Sequence, residues 1–213
     1  MTLLLLIRHG LTDATGVRLG GWTPGVHLSE PGTRQAQALP ERLHRVPVAA
    51  IYSSPLERCL ETAAPLAAER SMEVIARDDL GEVRYGSWTN RPLKQLARTK
   101  LWRRVQVVPS GVRFPGGESL LEVQARAVRE LEDIAGRHRR ATVAVFSHAD
   151  VIKLLVAFLA GVPMDLFQRL VIDPASISAV SVGDGIPRIL RVNDRGSLDD
   201  LAPRKPAKRN VGG

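Results

Sequence analysis

Short apolar runs alternate along this chain with longer amphipathic stretches, and few folds suit that alternation. The run Leu3–Ile7 is typical of a short buried strand. Further strands are predicted at Val48–Tyr52, Met72–Ile75, Thr142–Phe146, Ile177–Val182 and Ile189–Val192. Strands that alternate with helices indicate a layered α/β domain.

Capping residues and apolar periodicity predict the helices between these strands. Ser29 suits an N-cap and precedes a helix to about Arg45, which Pro40 should bend or shorten. Further helices are predicted after Pro55, across 91–105, from Glu118 to Arg139, and from Ala149 or Asp150 to near Gly161. The turn Gly183-Asp184-Gly185 predicts a terminal hairpin. The expected fold is a single three-layer α/β/α domain over residues 1–194, with a mixed, mostly parallel central sheet.

Length and composition exclude several classes of protein. The 213 residues, 44% of them hydrophobic, suit one globular domain. No apolar run approaches the roughly 18 residues of a membrane span, and the short first run, which ends before Arg8, does not suit a secretory signal. Cys59 is the only cysteine, which excludes an internal disulfide and favours a cytoplasmic location. Arginine supplies 25 of the 30 basic residues, a bias typical of high-GC bacterial genomes.

The net charge of +8 is concentrated in two segments. Residues 91–113 carry +7 and residues 203–213 carry +4, so the rest of the chain carries −3. A basic stripe across a folded face, typical of nucleic-acid-binding domains, is therefore not expected. We interpret 195–213 as a disordered basic tail. Residues 91–116 form a basic insertion, which is either a solvated face or a lid that binds a second anionic group of a substrate.

Polar side chains suited to phosphate chemistry follow three of the predicted strands. Arg8-His9-Gly10 follows the first strand, Ser53-Ser54 the second, and Ser147-His148 the fourth. If these strands are parallel, all three segments meet at one edge of the sheet, where open α/β sheets bind ligands. An imidazole there can attack phosphorus while a guanidinium holds the phosphoryl oxygens by paired hydrogen bonds.

The order of these segments resembles the histidine phosphatase superfamily, also called the phosphoglycerate mutase-like family, over residues 3–192. The matching segments are Arg8-His9-Gly10 with Thr12, the stretch from Leu28 to Ala36, Ser53-Ser54-Pro55 leading to Arg58, Glu82 with Tyr85-Gly86-Ser87-Trp88, and Ser147-His148. Each segment alone is a weak signal. His9 by itself suits a buried strand-end histidine and Arg58 a surface ion pair. Glu82 by itself suits a structural partner of Arg84. All the segments in this order form a strong signal.

The resemblance implies that His9 is a nucleophile that becomes a phosphohistidine. It implies that Arg8, Arg58 and His148 surround the phosphoryl group and neutralise its oxygens. Glu82 is implied as the acid that protonates the leaving alcohol and as the base that then activates water. Neither a metal nor another cofactor is implied, and the sequence has no HExxH-type histidine spacing and no cysteine cluster.

Further substrate contacts are expected on the same grounds. They are Thr15, Gly21, Arg91 and Ala149, besides Arg8, Arg58 and His148. The family often has an Asn a few residues after Arg-His-Gly, so Thr15 here either substitutes for it or that contact is absent. The second histidine is commonly followed by Gly-Gly, whereas here Ala149-Asp150 follows. We expect Asp150 to cap the helix that begins there.

The expected function is hydrolysis of small anionic phosphate monoesters, with no membrane and no specific nucleic-acid partner. Only 66 residues separate Glu82 from His148, fewer than in the glycolytic mutases, whose longer insertion shields the phosphoenzyme from water. A phosphoglycerate mutase-type phosphomutase that uses the same groups is the first alternative. A non-catalytic phospholigand-binding protein is the second. The physiological substrate and the oligomeric state, a homodimer included, stay open.

Overall fold

Six strands form one mixed sheet in the computed structural model, which describes residues 1–196. They are β1 (Thr2–Arg8), β2 (Val48–Ser53), β3 (Val74–Ala76), β4 (Thr142–Ser147), β5 (Ile177–Val182) and β6 (Arg188–Asp194). Their order across the sheet is β3-β2-β4-β1-β5-β6. The first four in this order are parallel, whereas β5 is antiparallel to β1 and forms the predicted hairpin with β6. The predicted mixed, mostly parallel sheet is confirmed.

Seven α-helices lie within the described residues. They are α1 (Glu30–Gln37), α2 (Leu39–Arg42), α3 (Glu57–Arg70), α4 (Leu93–Leu96), α5 (Lys100–Val107), α6 (Leu120–Arg137) and α7 (Ala149–Leu159). The helix predicted after Ser29 is interrupted between α1 and α2, because Pro40 has no N–H with which to continue α1. The helix predicted across 91–105 is two short helices, and the Thr99 side chain caps the second. None of the seven is long and apolar enough to span a membrane.

Successive residues of β1 point to opposite faces of the sheet, as the period of a strand requires. Leu4 and Leu6 belong to a core formed with α6 and α7, whereas Leu5 and Ile7 belong to a second core formed with α2 and α3. All four side chains are fully buried, and each such burial stabilises the fold by about 1.5–3 kcal/mol. The two cores, one on each face of the sheet, confirm the three-layer α/β/α arrangement.

Parallel pairing aligns the carboxyl ends of β1, β2 and β4. Arg8 lies beside Ser147, and Ser53 lies beside Phe146. Beyond the end of β2, the Ser54 N–H still donates a hydrogen bond of 2.9 Å to the Phe146 carbonyl. The polar segments that follow these three strands therefore meet at one edge of the sheet.

The structure describes the whole of the basic insertion but only the first two residues of the basic tail. In the insertion, Leu96 and Val105 are buried in the core with α6 and α7, whereas Arg98 and Arg103 are exposed. The apolar side chains thus anchor the insertion, and its positive charges face solvent. Of the predicted tail, Arg195 forms an ion pair of 3.6 Å with Asp173, and residues 197–213 lie outside the described residues.

Helix α1 lies directly against the backbone that follows β1. A Cβ atom on Gly32 of α1 would be only 1.9 Å from the Leu11 carbonyl oxygen, far inside van der Waals contact. Gly136 in α6 is the opposite case, since a Cβ there would meet nothing within 4 Å. Only a glycine allows α1 to pack this closely on the segment that begins with Arg8-His9-Gly10.

We expect Gly32→Ala to lower the melting temperature, although alanine favours a helix interior over glycine by about 1 kcal/mol. In the matched variant Gly136→Ala the new methyl group meets no neighbour, so only the higher helix propensity of alanine acts. This variant should raise the melting temperature by about 2–4 °C. Thermal unfolding followed by circular dichroism measures both. An equal rise in the two variants would contradict the close approach at Gly32.

Candidate active site

A cavity of about 160 Å³ opens where β1 and β2 end. Its lining includes Arg8 and His9 after β1, Arg58 from the first turn of α3, Glu82 from the loop after β3, and Asp150 from α7. With Arg18, which also lines the cavity, one imidazole, three guanidiniums and two carboxyl groups face a space that suits a small anion and its organic substituent.

His9 is held as a neutral imidazole with one nitrogen free. Its Nδ1 lies 2.7 Å from the Gly10 carbonyl oxygen, and because a carbonyl only accepts, Nδ1–H is the donor. Nε2 therefore carries the lone pair. Burial lowers the pKa of His9 well below its ordinary value, and the charges of Arg58 and Arg8 lower it further. This is the protonation state that a nucleophilic imidazole needs at neutral pH.

Arg58 is buried and Arg8 is half-buried, and the hydrogen bonds of both guanidiniums are incomplete. Arg8 donates from Nη1 to the Ile172 carbonyl at 2.6 Å, and Arg58 donates from Nη2 to the Gly21 carbonyl at 2.9 Å. Among the described residues, Arg8 Nε and Arg58 Nη1 have no acceptor. Buried N–H groups on charged side chains require acceptors, and an anion in the cavity would supply them.

His148 lies behind this lining and is fully buried. Its ring centroid is 5.3 Å from that of His9. Its Nδ1 is 3.3 Å from Arg58 Nη2, which can only donate, so Nδ1 is the acceptor and Nε2–H donates to Ser54 Oγ at 2.8 Å. Burial lowers the pKa of His148 well below its ordinary value, which keeps this ring neutral as well.

Cys59 lies beside His148, with Sγ 3.5 Å from Nε2 of that ring and 3.5 Å from the Ser147 carbonyl oxygen. It is free and buried, and burial raises the pKa of its thiol to about 12. The thiol is therefore a protonated, space-filling group next to the site.

The pKa of the Glu82 carboxyl group lies in the range expected of a general acid and base. Burial raises the pKa of its carboxyl group to about 7, and the neighbouring charge of Asp150 acts in the same direction against Arg58 and Arg8. Its Oε1 accepts a hydrogen bond of 3.0 Å from the Val83 N–H. Near neutral pH this carboxyl group is therefore present in both its acidic and its basic form.

Arg126 of α6 fixes the loop that carries Glu82. Its guanidinium donates to the carbonyl oxygens of Asp79, Gly81 and Glu82 at 2.7–3.0 Å and forms an ion pair with Glu118 at 2.9 Å. The side chain is 8% exposed. Nothing in the sequence distinguishes it from the other arginines of a long amphipathic helix, so sequence reasoning missed it.

Of the other predicted contact residues, Thr15 and Ala149 line the cavity. The Thr15 hydroxyl accepts from the Thr12 N–H at 3.1 Å. Gly21 acts through its carbonyl oxygen, which binds Arg58. Arg91 is exposed, and the structure does not bring it to the cavity lining.

The prediction that Asp150 caps α7 is wrong. His148 occupies the N-cap position, and Asp150 lies in the first turn of the helix. Its carboxylate accepts a hydrogen bond of 3.1 Å from the Tyr85 hydroxyl and lies 3.6 Å from Lys153 Nζ. Because these groups satisfy the carboxylate in the cavity wall, it does not turn back to the helix end.

The cavity also contains residues that the sequence analysis did not assign. Tyr85, Arg18, Leu19 and Leu93 belong to its lining. Tyr85 belongs to one of the segments that match the family. Gly16 and Gly20 flank Arg18 and Leu19 in the sequence, and such glycines allow the backbone to approach a ligand closely. Leu93 carried no signal, since it resembles any apolar residue of a short helix.

Two other features delimit the site. Within residues 1–196 no group of three or more histidine, cysteine or acidic side chains is placed to hold a metal ion. A larger cavity, of about 440 Å³, lies near the opposite end of β1 and is lined by Thr2, Leu131, Phe158 and Val182 among others. The described residues that line it include neither histidine nor cysteine, whereas His9, Glu82 and Arg58 line the smaller cavity.

Known proteins resemble this chain in sequence and in fold. A family model described as histidine phosphatase superfamily (branch 1) matches residues 4–195. Phosphoserine phosphatase 1 of Hydrogenobacter thermophilus is 33% identical over 195 residues, which cover 91% of this chain and 92% of that protein. Probable phosphoglycerate mutase GpmB of Yersinia pestis (strain Pestoides F) is 29% identical over 182 residues, which cover 84% of this chain and 85% of that protein.

Solved structures agree. The mycobacterial glucosyl-3-phosphoglycerate phosphatase Rv2419c, in complex with VO3, superposes with a TM-score of 0.80 at 28% sequence identity. The match covers 90% of this chain and 98% of that one. The similarity therefore extends over nearly the whole of both molecules.

We expect Asp150→Asn to lower the pKa of Glu82, because it removes a nearby negative charge while the amide oxygen can still accept from Tyr85. Carboxyl ¹³C NMR titration should show a glutamate that titrates near pH 7 in the unmodified protein and at lower pH in the variant. The exposed, distant change Asp184→Asn serves as the control and should leave this titration unchanged. An unaltered titration in Asp150→Asn would exclude the electrostatic role of Asp150.

Proposed function

This chain belongs to the histidine phosphatase superfamily, and on that premise we propose that it hydrolyses small anionic phosphate monoesters through a phosphohistidine on His9. One observation carries the proposal: a neutral imidazole shares a cavity with two guanidiniums, each of which has a buried N–H group without an acceptor among the described residues. The similarity to a phosphoserine phosphatase supports small anionic esters as the substrate class.

In the first step, His9 Nε2 attacks phosphorus and the bond from phosphorus to the ester oxygen breaks. The leaving oxygen takes the Glu82 proton, so an alcohol departs and Glu82 becomes a carboxylate. Arg8 and Arg58 neutralise the phosphoryl oxygens, which is the main catalytic requirement of phosphoryl transfer. Nδ1–H donates to Gly10 throughout and stabilises the positive charge that develops on the ring.

In the second step, the Glu82 carboxylate takes a proton from a water molecule that attacks the phosphohistidine. The bond from Nε2 to phosphorus breaks, inorganic phosphate leaves, and both His9 and Glu82 return to their starting states. A carboxyl group with a pKa of about 7 suits both directions of this proton transfer near neutral pH.

His148, Thr15 and Ala149 stay assigned to the phosphoryl pocket in this proposal. His148 orients Arg58 through its Nδ1, and the other two line the cavity. Gly21 holds Arg58 from the other side. Arg91 is left out, since it is exposed and lies outside the lining.

A phosphomutase on the same groups is the second candidate, favoured by the similarity to a probable phosphoglycerate mutase. We place it second because, of the basic insertion, only Leu93 lines the cavity, so water is not kept out by that segment. Following 3-phosphoglycerate with and without 2,3-bisphosphoglycerate separates the two. Bisphosphate-dependent formation of 2-phosphoglycerate with little phosphate release would establish the mutase.

A cytoplasmic location and the absence of a specific nucleic-acid partner complete the proposal. The free thiol of Cys59 suits a reducing compartment. The exposed cations of the insertion lie along one short segment, which is a smaller footprint than a nucleic-acid-binding face requires.

We expect His9→Ala to abolish both turnover and a phosphoenzyme trapped by acid-free denaturation after incubation with labelled substrate, because no other nucleophile replaces Nε2. The trapped label should be lost in acid and stable in alkali, as a phosphoramidate bond requires. His44→Ala, on the exposed surface, is the control and should keep full activity. A label that persists in His9→Ala would disprove the phosphohistidine.

We expect Glu82→Gln to slow alkyl phosphates by about 100-fold or more, since their leaving oxygen needs a proton. p-Nitrophenyl phosphate should lose far less in the phosphorylation step, because nitrophenolate leaves without one. With the unmodified protein, phosphoenzyme formation from alkyl esters should fall as the pH rises through about 7, where Glu82 loses its proton. Single-turnover rates between pH 5 and 9 test this, and equal losses on both esters would contradict the acid role.

A further inference from the structure

The proposed reaction places two tasks on separate elements of the chain. Arg58, in the first turn of α3, holds the phosphoryl oxygens, and Glu82, in the loop after β3, carries the proton. Proton transfer requires the carboxyl group within hydrogen-bond reach of the leaving oxygen. The position of the Glu82 loop relative to Arg58 must therefore be fixed.

Gly21 and Trp22, in the loop between β1 and α1, connect these two elements. The Gly21 carbonyl oxygen accepts a hydrogen bond of 2.9 Å from Arg58 Nη2. The Trp22 indole N–H donates a hydrogen bond of 2.5 Å to the Glu82 carbonyl oxygen. Consecutive residues of one loop thus bind the guanidinium that holds the phosphate and the backbone of the residue that carries the proton.

The indole of Trp22 packs directly against the loop that it supports. The Arg84 guanidinium lies over the indole, with Cζ 3.8 Å from the ring centroid, which is a cation–π contact. A Cβ atom on Gly81 would be only 2.3 Å from Trp22 Cζ2, so the ring lies directly on that glycine. The Arg84 backbone is fixed in turn, since its N–H donates to Glu118 Oε2 at 2.9 Å and its carbonyl oxygen accepts from the Glu118 N–H at 2.8 Å.

Trp22 and Arg126 share the Glu82 carbonyl oxygen as acceptor. Arg126 Nη2 donates to it at 3.0 Å from α6, and the Trp22 indole donates from the loop between β1 and α1. A backbone carbonyl oxygen has two lone pairs, so both hydrogen bonds can form at once. Arg126 fixes the Glu82 loop to α6, whereas Trp22 fixes it to the loop that also binds Arg58.

We propose that Trp22 is a positioning residue, which holds the Glu82 carboxyl group at the leaving oxygen of an ester whose phosphoryl group is bound by Arg58. Trp22 does not line the cavity, so it acts through Glu82 and not on the substrate. The kinetic tests of this role rest on the hydrolytic function proposed above, whereas its spectroscopic test does not.

Trp22→Phe keeps an aromatic ring beneath Arg84 and removes the N–H group that reaches Glu82. Single-turnover phosphoenzyme formation from glycerol 3-phosphate should slow by at least about tenfold, because a misplaced acid protonates the leaving oxygen poorly. The KM should change by less than about twofold, since the phosphate-binding arginines are kept. With p-nitrophenyl phosphate, whose leaving group needs no proton, the rate should also change by less than about twofold. Equal slowing of both esters would overturn the proposal.

A double variant tests whether Trp22 acts through the Glu82 carboxyl group. In the Glu82→Gln background, Trp22→Phe should cause no further loss on glycerol 3-phosphate, whereas independent effects would multiply. Such a further loss would overturn the proposal. Trp102→Phe is the control for loss of an indole, since Trp102 is also half-buried, packs against Trp88 and lies outside the cavity lining. It should change the rate of neither ester.

Carboxyl ¹³C NMR titration separates this proposal from the hydrolytic function, because it needs no turnover. Burial is the main cause that raises the pKa of Glu82 to about 7, and a loop released from Trp22 lets water reach the carboxyl group. The charges of Asp150, Arg58 and Arg8 are kept, so the Glu82 titration should move to lower pH in Trp22→Phe and stay unchanged in Trp102→Phe. If no ester is hydrolysed but this shift is found, the hydrolytic function fails and the positioning role stands. An unchanged titration in Trp22→Phe overturns the positioning role whatever the kinetics show.

Discussion

The parallel register of β1, β4 and β2 is the constraint on which the site depends. Because Arg8 lies beside Ser147 and Ser53 beside Phe146, segments about 140 and about 90 residues apart in the chain end at the same level of the sheet. A slip of one residue would turn the fully buried Leu4 to Ile7 to the opposite faces and part the two histidines. The two apolar cores that fix the strands therefore also fix the chemistry.

At this edge of the sheet, burial determines the protonation states of His9, His148 and Glu82. Removal from water keeps His9 and His148 neutral and raises the pKa of Glu82 to about 7. One buried N–H group of Arg8 and one of Arg58 have no acceptor among the described residues. A buried positive charge without a full set of acceptors is costly in the free protein. An anion that accepts hydrogen bonds from these N–H groups removes that cost, which favours its binding.

The sequence predicted those features of the structure that are determined by residues close together in the chain. Strand ends, the N-cap at Ser29 and the break at Pro40 all depend on neighbouring residues, and the order of the polar segments indicated the family. Arg126 could not be found, because its partners are backbone carbonyl groups 44 to 47 residues away in the chain. Asp150 was misplaced for the same reason, since the Tyr85 hydroxyl that binds it comes from a distant loop.

The thiol behind His148 has a consequence for how the protein tolerates oxidants. Only a thiolate reacts readily with peroxide, and burial, which raises the pKa of the Cys59 thiol to about 12, keeps it protonated at pH 7. An imidazole nucleophile is not itself inactivated in the way that a cysteine nucleophile is. Hydrolysis of phosphate esters at His9 should therefore continue at peroxide concentrations that inactivate enzymes with a catalytic thiolate.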